Sequence, residues 1–254
     1  MSRLSGRSIV VTGGGHGIGR AYCRRLAAEG ASVAIAELDG DAAEQVAKEL
    51  TDAGGKALAV RTDVADEASV TDMAARVVEA FGRIDGLVNN AAIFATVPMS
   101  RVGLEELSVE EWDRMMAVNL RGMFLACKAV LPTMRQQQSG KIINISSGTA
   151  LSGSPSRIHY VTSKAGVLGF TRSLAAEVGS DGITVNAVAP GSTLSEDSPD
   201  EEVIAMRQKR VSARPLARLQ MPEDVVGAVL FFLSADSDFI TGQTLVVDGG
   251  AVMH

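Results

Sequence analysis

In HYVTSK, His159 to Lys164, a tyrosine and a lysine stand four positions apart in a segment of helical character, so both side chains fall on one helix face. A phenol on such a face can give a proton to a forming alkoxide or take one from an alcohol, as the interconversion of ketones and alcohols requires. Free tyrosine titrates near about 10, too high for a good base near neutrality, and each unit of lowering reflects about 1.4 kcal/mol of preference for phenolate. The ammonium of Lys164 beside Tyr160 would supply such lowering. By itself the pair also has a plainer reading, since Tyr and Lys at this spacing often lie along a helix surface with their polar ends in water. His159 adjoins the tyrosine but faces another direction, and reads as structural, lining or flanking the mouth of a site.

A second group of residues lies far from the first. Thr12 to Gly19 reads TGGGHGIG, with glycines at 13, 14, 15, 17 and 19. Such a turn lets the backbone approach a pyrophosphate, whose charge is met by free N–H groups and the positive end of the following helix. His16, Ile18 and the glycines are the expected lining. Eighteen positions after Gly19 comes Glu37, at the end of the next apolar run. A carboxylate there accepts hydrogen bonds from an adenosine ribose 2′-hydroxyl and repels a 2′-phosphate, so NAD is favoured over NADP. Neither Leu38 nor His16 provides the fixed positive charge that a 2′-phosphate would need. Asp39 could compete for the ribose, but it begins the turn into the next helix.

Holding these groups together requires a particular order of elements. The run SIVV, the glycine turn and an apolar-periodic stretch through Ala28 read as strand, turn and helix. SVAIAE, a helix over 41–53, KALAV, a helix over about 68–80 and GLVNN continue the alternation. A helical stretch over about 109–135, KIINIS, a helix through Tyr160 to Val178, ITVNAVA, a helix from Pro222 to about Leu233 and TLVV complete it. Strands alternating with helices imply a parallel sheet covered on both faces, with ligands at the carboxyl ends of the strands, and we expect one doubly wound α/β domain over 1–254. The segments 92–108 and 192–219 break the rhythm and are candidate binding loops.

Composition excludes several other functions. The chain has 254 residues and a formal net charge of −6 without a clustered run of Lys and Arg, which argues against nucleic-acid binding. Cys23 and Cys127 lack metal-ligand or CxxC spacing, so neither a metal nor a disulfide is expected. The N-terminus has no apolar leader, and the longest apolar run, Val225 to Leu233, is too short to span a bilayer. A cytoplasmic protein is expected.

Thr12-Gly13-x-x-x-Gly17-x-Gly19, Asn89-Asn90-Ala91, Asn119, Ser147, Tyr160-x-x-x-Lys164 and Pro190-Gly191 occur in an order and at spacings that resemble the short-chain dehydrogenase/reductase family over essentially the whole chain. The resemblance implies a Rossmann fold with a seven-stranded parallel sheet in the order 3-2-1-4-5-6-7, and a homotetramer. It implies that Asp63 and Val64 lie by the adenine and that Asn90 and Ala91 support the cofactor site. Backbone from Pro190 and Gly191 to Thr193, with the hydroxyl of Ser195, would hold the nicotinamide amide. Lys164 would also bind the nicotinamide ribose, and Asn119 would hold a water in a proton relay toward Lys164. Ser147, thirteen residues before Tyr160, would hydrogen-bond the substrate oxygen, with Ser146 one register step away as the alternative. Ala92 departs from a common glycine, and Ser195 from a common threonine.

Walls for a substrate are expected from residues 92–96, 149–154 and 192–219. Phe94, Thr149 and Leu151, with Ile93, Ala150 and Ile158, make an apolar surround in which no arginine is clearly aimed at a carboxylate. The sequence therefore points to NAD(H)-dependent oxidoreduction of a small, largely hydrophobic secondary alcohol or ketone. A 3-oxoacyl carrier-protein reductase, a role that usually employs NADPH, is the alternative, and a nucleotide-sensing module without turnover is the reading from another class.

Overall fold

The computed structural model describes the whole chain except residues 1, 95, 96, 98, 197, 198, 200, 212, 213 and 254. Ala95 and Thr96 of the expected substrate wall lie outside the described residues. Seven strands, β1 (Ser8–Thr12), β2 (Ser32–Glu37), β3 (Lys56–Arg61), β4 (Gly86–Asn89), β5 (Gly140–Ile145), β6 (Ile183–Pro190) and β7 (Thr244–Val247), form one sheet. Every strand pairing is parallel, and the order is β3-β2-β1-β4-β5-β6-β7, as expected. All five residues of β1 are buried, because a parallel sheet is covered on both faces.

Alternate residues of the strands feed two core layers. Ile9 and Val11 pack with α1 (Gly17–Ala28), α2 (Gly40–Asp52) and α9 (Pro222–Leu233). Val10, between them in sequence, packs on the opposite face with α3 (Glu67–Phe81), α5 (Gly122–Gln137) and α7 (Ile158–Val178). α4 (Val109–Met116) runs into α5 through a wide turn over Ala117–Arg121, so the single helix expected over 109–135 is divided by a local π-helical widening and extends to Gln137. That continuous stretch, Val109–Gln137, is long and apolar enough by length and composition to cross a membrane, which the shorter run at 225–233 is not. It serves here as a core helix, with Met123, Ala126, Cys127, Val130 and Met134 buried in the second layer.

The strand order reverses direction between β1 and β4, which opens a crevice at the carboxyl ends of these neighbours. Register places Thr12 beside both Ala36 and Asn89, so the glycine turn, Glu37 and Asn90 leave the sheet at one edge of this crevice. Ser147 and Pro190 leave at the same end, since Asn144 pairs with Ala187 and Ile145 with Val188. The sequence did not reveal two helices, α6 (Thr149–Ser152) and α8 (Glu201–Val211), of which α8 lies in the segment read as a polar loop.

At the opposite end of the sheet, the buried Asp85 ties β1 to β4. Its carboxylate accepts from Arg7 Nη1 at 3.0 Å, the backbone N–H of Ser8 at 2.9 Å, and Arg83 through Nε at 2.7 Å and Nη2 at 2.6 Å. These donors hold the carboxyl below its ordinary range against the opposing effect of burial. Stability from a depressed carboxyl is present above its unfolded pKa near about 4 and is lost as pH falls through the folded value. Asp85→Asn is expected to cost about 1–3 kcal/mol at pH 7. In urea unfolding series its gap from the parent should shrink as pH drops below about 4; a gap independent of pH would show that the charge is immaterial.

Candidate active site

The glycine turn is pinned from the neighbouring strand. Thr12 Oγ1 accepts the N–H groups of Asn90 and Ala91 at 3.0 and 3.1 Å, and Asn90 Nδ2 donates to the carbonyls of Thr12 and Gly13 at 3.1 and 2.9 Å. This interlock leaves no room for a side chain at Gly13 or Gly19. A Cβ on Gly19 would sit 1.9 Å from the Gly13 carbonyl oxygen and 2.7 Å from Asn90 Nδ2, while Gly13 itself has a φ of +64°. Gly19→Ala is therefore expected to lower stability by about 1–3 kcal/mol and to weaken dinucleotide binding more than tenfold. Thermal unfolding and dinucleotide titration would check it, and unaltered binding would dissociate the turn from the cofactor.

Glu37 closes the same end of the crevice. One carboxylate oxygen accepts from the Gly15 N–H at 3.1 Å, and the other from Leu38 and Asp39 N–H at 2.8 and 3.3 Å. Gly15 therefore lies behind the carboxylate instead of lining the cleft; a Cβ there would stand 2.9 Å from Glu37 Cγ. Asp39 is committed elsewhere, as the N-cap of α2, accepting from Asp41 and Ala42 N–H. Gly13, His16, Gly17, Ile18, Gly19, Leu38, Asp63, Val64, Asn90 and Ala91 line a continuous cleft of about 750 Å³ with Glu37. The arginines among its described lining residues, 114, 157 and 214, belong to the other end; Arg61, the register partner of Glu37 on β3, lies against Gly40 and does not line the cleft.

At that other end Ser147, Tyr160, Lys164, Pro190, Gly191 and Thr193 line the same cleft, and Ser195 lines it where its backbone comes against Gly17 of the glycine turn. Tyr160 is buried, its ring packed against Phe94 with centroids 5.1 Å apart. Burial pushes its phenol up, while a hydrogen bond with Ser147 and the charge of Arg157 oppose that rise. Lys164 makes no hydrogen bond to the phenol among the described residues. Its buried Nζ donates to the Ile145 carbonyl at 2.8 Å, and burial brings its pKa down to about 8. The physical reason is local: the end of β5 offers a carbonyl that satisfies a cation otherwise shut off from water.

The same strand end distinguishes the two serines. Ser146 Oγ donates to the Lys164 carbonyl at 2.7 Å, whereas Ser147 Oγ lies 3.0 Å from Thr149 Oγ1 and beside Tyr160. Asn119 sits in the π-helical turn, buried, with Oδ1 accepting from Ile93 N–H at 2.8 Å and Nδ2 donating to Ser163 Oγ at 3.3 Å. The widened turn brings Asn119 to a small cavity of about 10 Å³ that Lys164 also lines.

Several expected wall residues stand elsewhere. Leu151 and Ile158 are exposed and, like Ala150, do not line the cleft, because the short α6 and the first turn of α7 present those faces to solvent. His159 is buried away from the mouth, 3.7 Å from Glu111 of α4. No arginine was expected to be aimed at a carboxylate; Arg157 and Arg214 are nonetheless buried in the cleft wall, and the exposed Arg114 lies at the lining. Their positions could not be read from local spacing: Arg157 comes from the turn before α7 and Arg214 from the segment after α8.

The cleft fits a dinucleotide in three respects: a glycine cradle that a Cβ would fill, an acceptor carboxylate at one end, and hydroxyl and ammonium groups at the other. The family model described as Enoyl-(Acyl carrier protein) reductase matches residues 13–252. A 3-oxoacyl-[acyl-carrier-protein] reductase, FabG, of Thermotoga maritima is 36% identical over 99% of the chain and 100% of its own length. A 3-oxoacyl-[acyl-carrier-protein] reductase of Synechocystis is 40% identical, covering 100% of both chains. Among solved structures, levodione reductase superposes with a TM-score of 0.91 at 32% identity, over 97% of this chain and 98% of its own.

Proposed function

The chain belongs to the short-chain dehydrogenase/reductase family of nicotinamide-dependent oxidoreductases, and from that premise we propose that it interconverts a secondary alcohol and a ketone with NAD(H). The observation carrying this reading is the convergence of Ser147, Tyr160 and Lys164 on a cleft whose far end is closed by Glu37. The names of the relatives favour a 3-oxoacyl group as the ketone, ahead of a free apolar alcohol.

The cofactor would rest its pyrophosphate on the turn from Gly13 to Gly19, its adenosine ribose on Glu37 and its adenine by Asp63 and Val64, with Asn90 and Ala91 behind the turn. Pro190, Gly191, Thr193 and Ser195 would hold its nicotinamide end. When bound, it supplies or accepts the hydride. In reduction, the hydroxyls of Ser147 and Tyr160 donate to the substrate carbonyl oxygen, and Tyr160 delivers the proton as negative charge grows there. In oxidation Tyr160 removes the alcohol proton. Lys164 would hold the nicotinamide ribose and, with a water held by Asn119, would pass protons between Tyr160 and solvent.

A second reading, a small apolar ketone, is favoured by Ile93, Phe94 and Val97 in the wall. A non-catalytic sensor has no use for the convergent hydroxyls and lysine. The proposal extends to a cytoplasmic homotetramer. Acetoacetyl thioesters and apolar ketones, each offered with NADH and NADPH, test it by nicotinamide absorbance. NADH-dependent turnover of a thioester is expected; preference for NADPH removes the cofactor assignment, and binding of NADH without turnover of any ketone returns the sensor.

A further inference from the structure

The substrate end of the cleft is electropositive in a way the proposed proton transfer does not require. Arg214 is buried, lines the cleft, and among the described residues has one hydrogen-bond acceptor, the Ser192 carbonyl at a long 3.5 Å. Its stem lies against Gly249, where a Cβ would come within 3.0 Å of Cδ, so the side chain is held in the wall by packing. Arg157 is likewise buried in the wall, bonded to Ser154 and close enough to Tyr160 for its charge to act on the phenol. The lining carboxylate beside Gly249, Asp248, is occupied: its oxygens accept the N–H groups of Gly250, Ala251 and Val252 at 2.9, 3.1 and 2.8 Å, and Asp224, whose carboxyl feels the Arg214 charge, is bonded to both terminal nitrogens of Arg218 at 2.6 Å. Glu37 and Asp63 stand at the adenosine end. A buried guanidinium so weakly satisfied has donors to spare for a planar anion.

We infer that Arg214, with Arg157 in the same wall, recognises an anionic oxygen group on the substrate. The favoured substrate is therefore an oxo or hydroxy acid, or a thioester with a phosphorylated arm, and not a neutral ketone. This inference rests on the reading of the cleft as a ketone and alcohol site. It overturns the expectation of an uncharged apolar substrate, yet leaves Ile93, Phe94 and Val97 to pack the substrate's carbon chain. Two anions can satisfy the same chemistry, a carboxylate near the reacting carbon or a phosphate farther along a thioester arm, and matched pairs separate them.

The test compares 3-hydroxybutyrate with its methyl ester, and a phosphopantetheine thioester of 3-hydroxybutyrate with its unphosphorylated counterpart, in the parent protein, Arg214→Met and Arg214→Lys. Two quantities are read: kcat/KM with NAD, and the shift in thermal midpoint caused by each compound with NADH present, which reports binding without turnover. In at least one pair the anion is expected to lead its neutral partner by tenfold or more in the parent. Arg214→Met should collapse that ratio, and Arg214→Lys should retain part of it. Equal members in both pairs, or a loss in Arg214→Met that is the same for anion and neutral, overturns the inference. If Arg214→Met does not fold, the parent's ratios and those of Arg214→Lys decide. Anion-selective binding without turnover would sustain the inference while sinking the oxidoreductase reading, so the two fail separately.

Discussion

Tyr160→Phe is expected to lower kcat about 10²- to 10⁴-fold, the range associated with losing a positioned acid or base. The substitution removes only the hydroxyl. The ring keeps its packing against Phe94 at 5.1 Å, and the buried position accepts a phenyl group without a cavity. Ser147 keeps its neighbour Thr149 Oγ1 at 3.0 Å, so the substrate oxygen would still find one donor. The fall should therefore appear in kcat, with NADH affinity changed little. Turnover near the parental rate would exclude Tyr160 as the proton-transfer group.

The same residue sets a pH dependence. Burial pushes the phenol up, so in the protein without ligands it remains protonated through neutrality, as a carbonyl reductase needs. Reduction should be flat around neutral pH and decline at high pH as the acid form is lost. Oxidation, which needs the base form, should rise with pH. Lys164, with a pKa of about 8, begins to lose its charge in the same alkaline range. Lys164→Met should remove the contribution near pH 8 and leave a profile set by Tyr160 only; a profile identical to the parent's would show that the two groups are not coupled.

Glu37→Gln is expected to raise the NADPH-to-NADH ratio of kcat/KM by tenfold or more. The glutamine keeps an acceptor oxygen but loses the charge that repels a 2′-phosphate and strengthens the bond to a ribose hydroxyl. Bonds to charged groups contribute about 1.5–3 kcal/mol, or about 10- to 150-fold in affinity. Glu37 also accepts the N–H groups of Gly15, Leu38 and Asp39, so a fall in NADH use alone could come from a loosened turn. A gain with NADPH cannot arise in that way. An unchanged ratio would end the assignment of Glu37 as the ribose carboxylate.

The legible and illegible parts of the site differ in how far apart their partners lie. Tyr160 and Lys164 sit on one helix, and the four-residue spacing alone places them on one face. The glycine turn was readable because a strand, a tight turn and a helix N-terminus follow one another directly. Ser146 and Ser147 were indistinguishable in sequence, since a one-residue step at a strand end reverses which side chain faces the cleft; β5 turned Ser147 toward Tyr160 and gave Ser146 to the Lys164 carbonyl. The wide turn at Asn119 has no period of its own within an otherwise regular helix. Leu151 and Ile158 were assigned to the wall by apolarity, but an apolar residue in a short helix or first turn can equally face water.

By itself, the sequence determined the alternation of strands and helices, the sheet order through its family motifs, the glycine turn with Glu37 beyond it, and the tyrosine–lysine pair. All of these follow from local periodicity or from motifs whose order along the chain is preserved. Only the tertiary structure decided which serine faces the cleft, that Lys164 spends its ammonium on Ile145, and that Arg157 and Arg214 are buried in the cleft wall. Those outcomes depend on groups 13 to over 50 positions apart meeting at the carboxyl end of the sheet, and on which of them burial leaves unsatisfied.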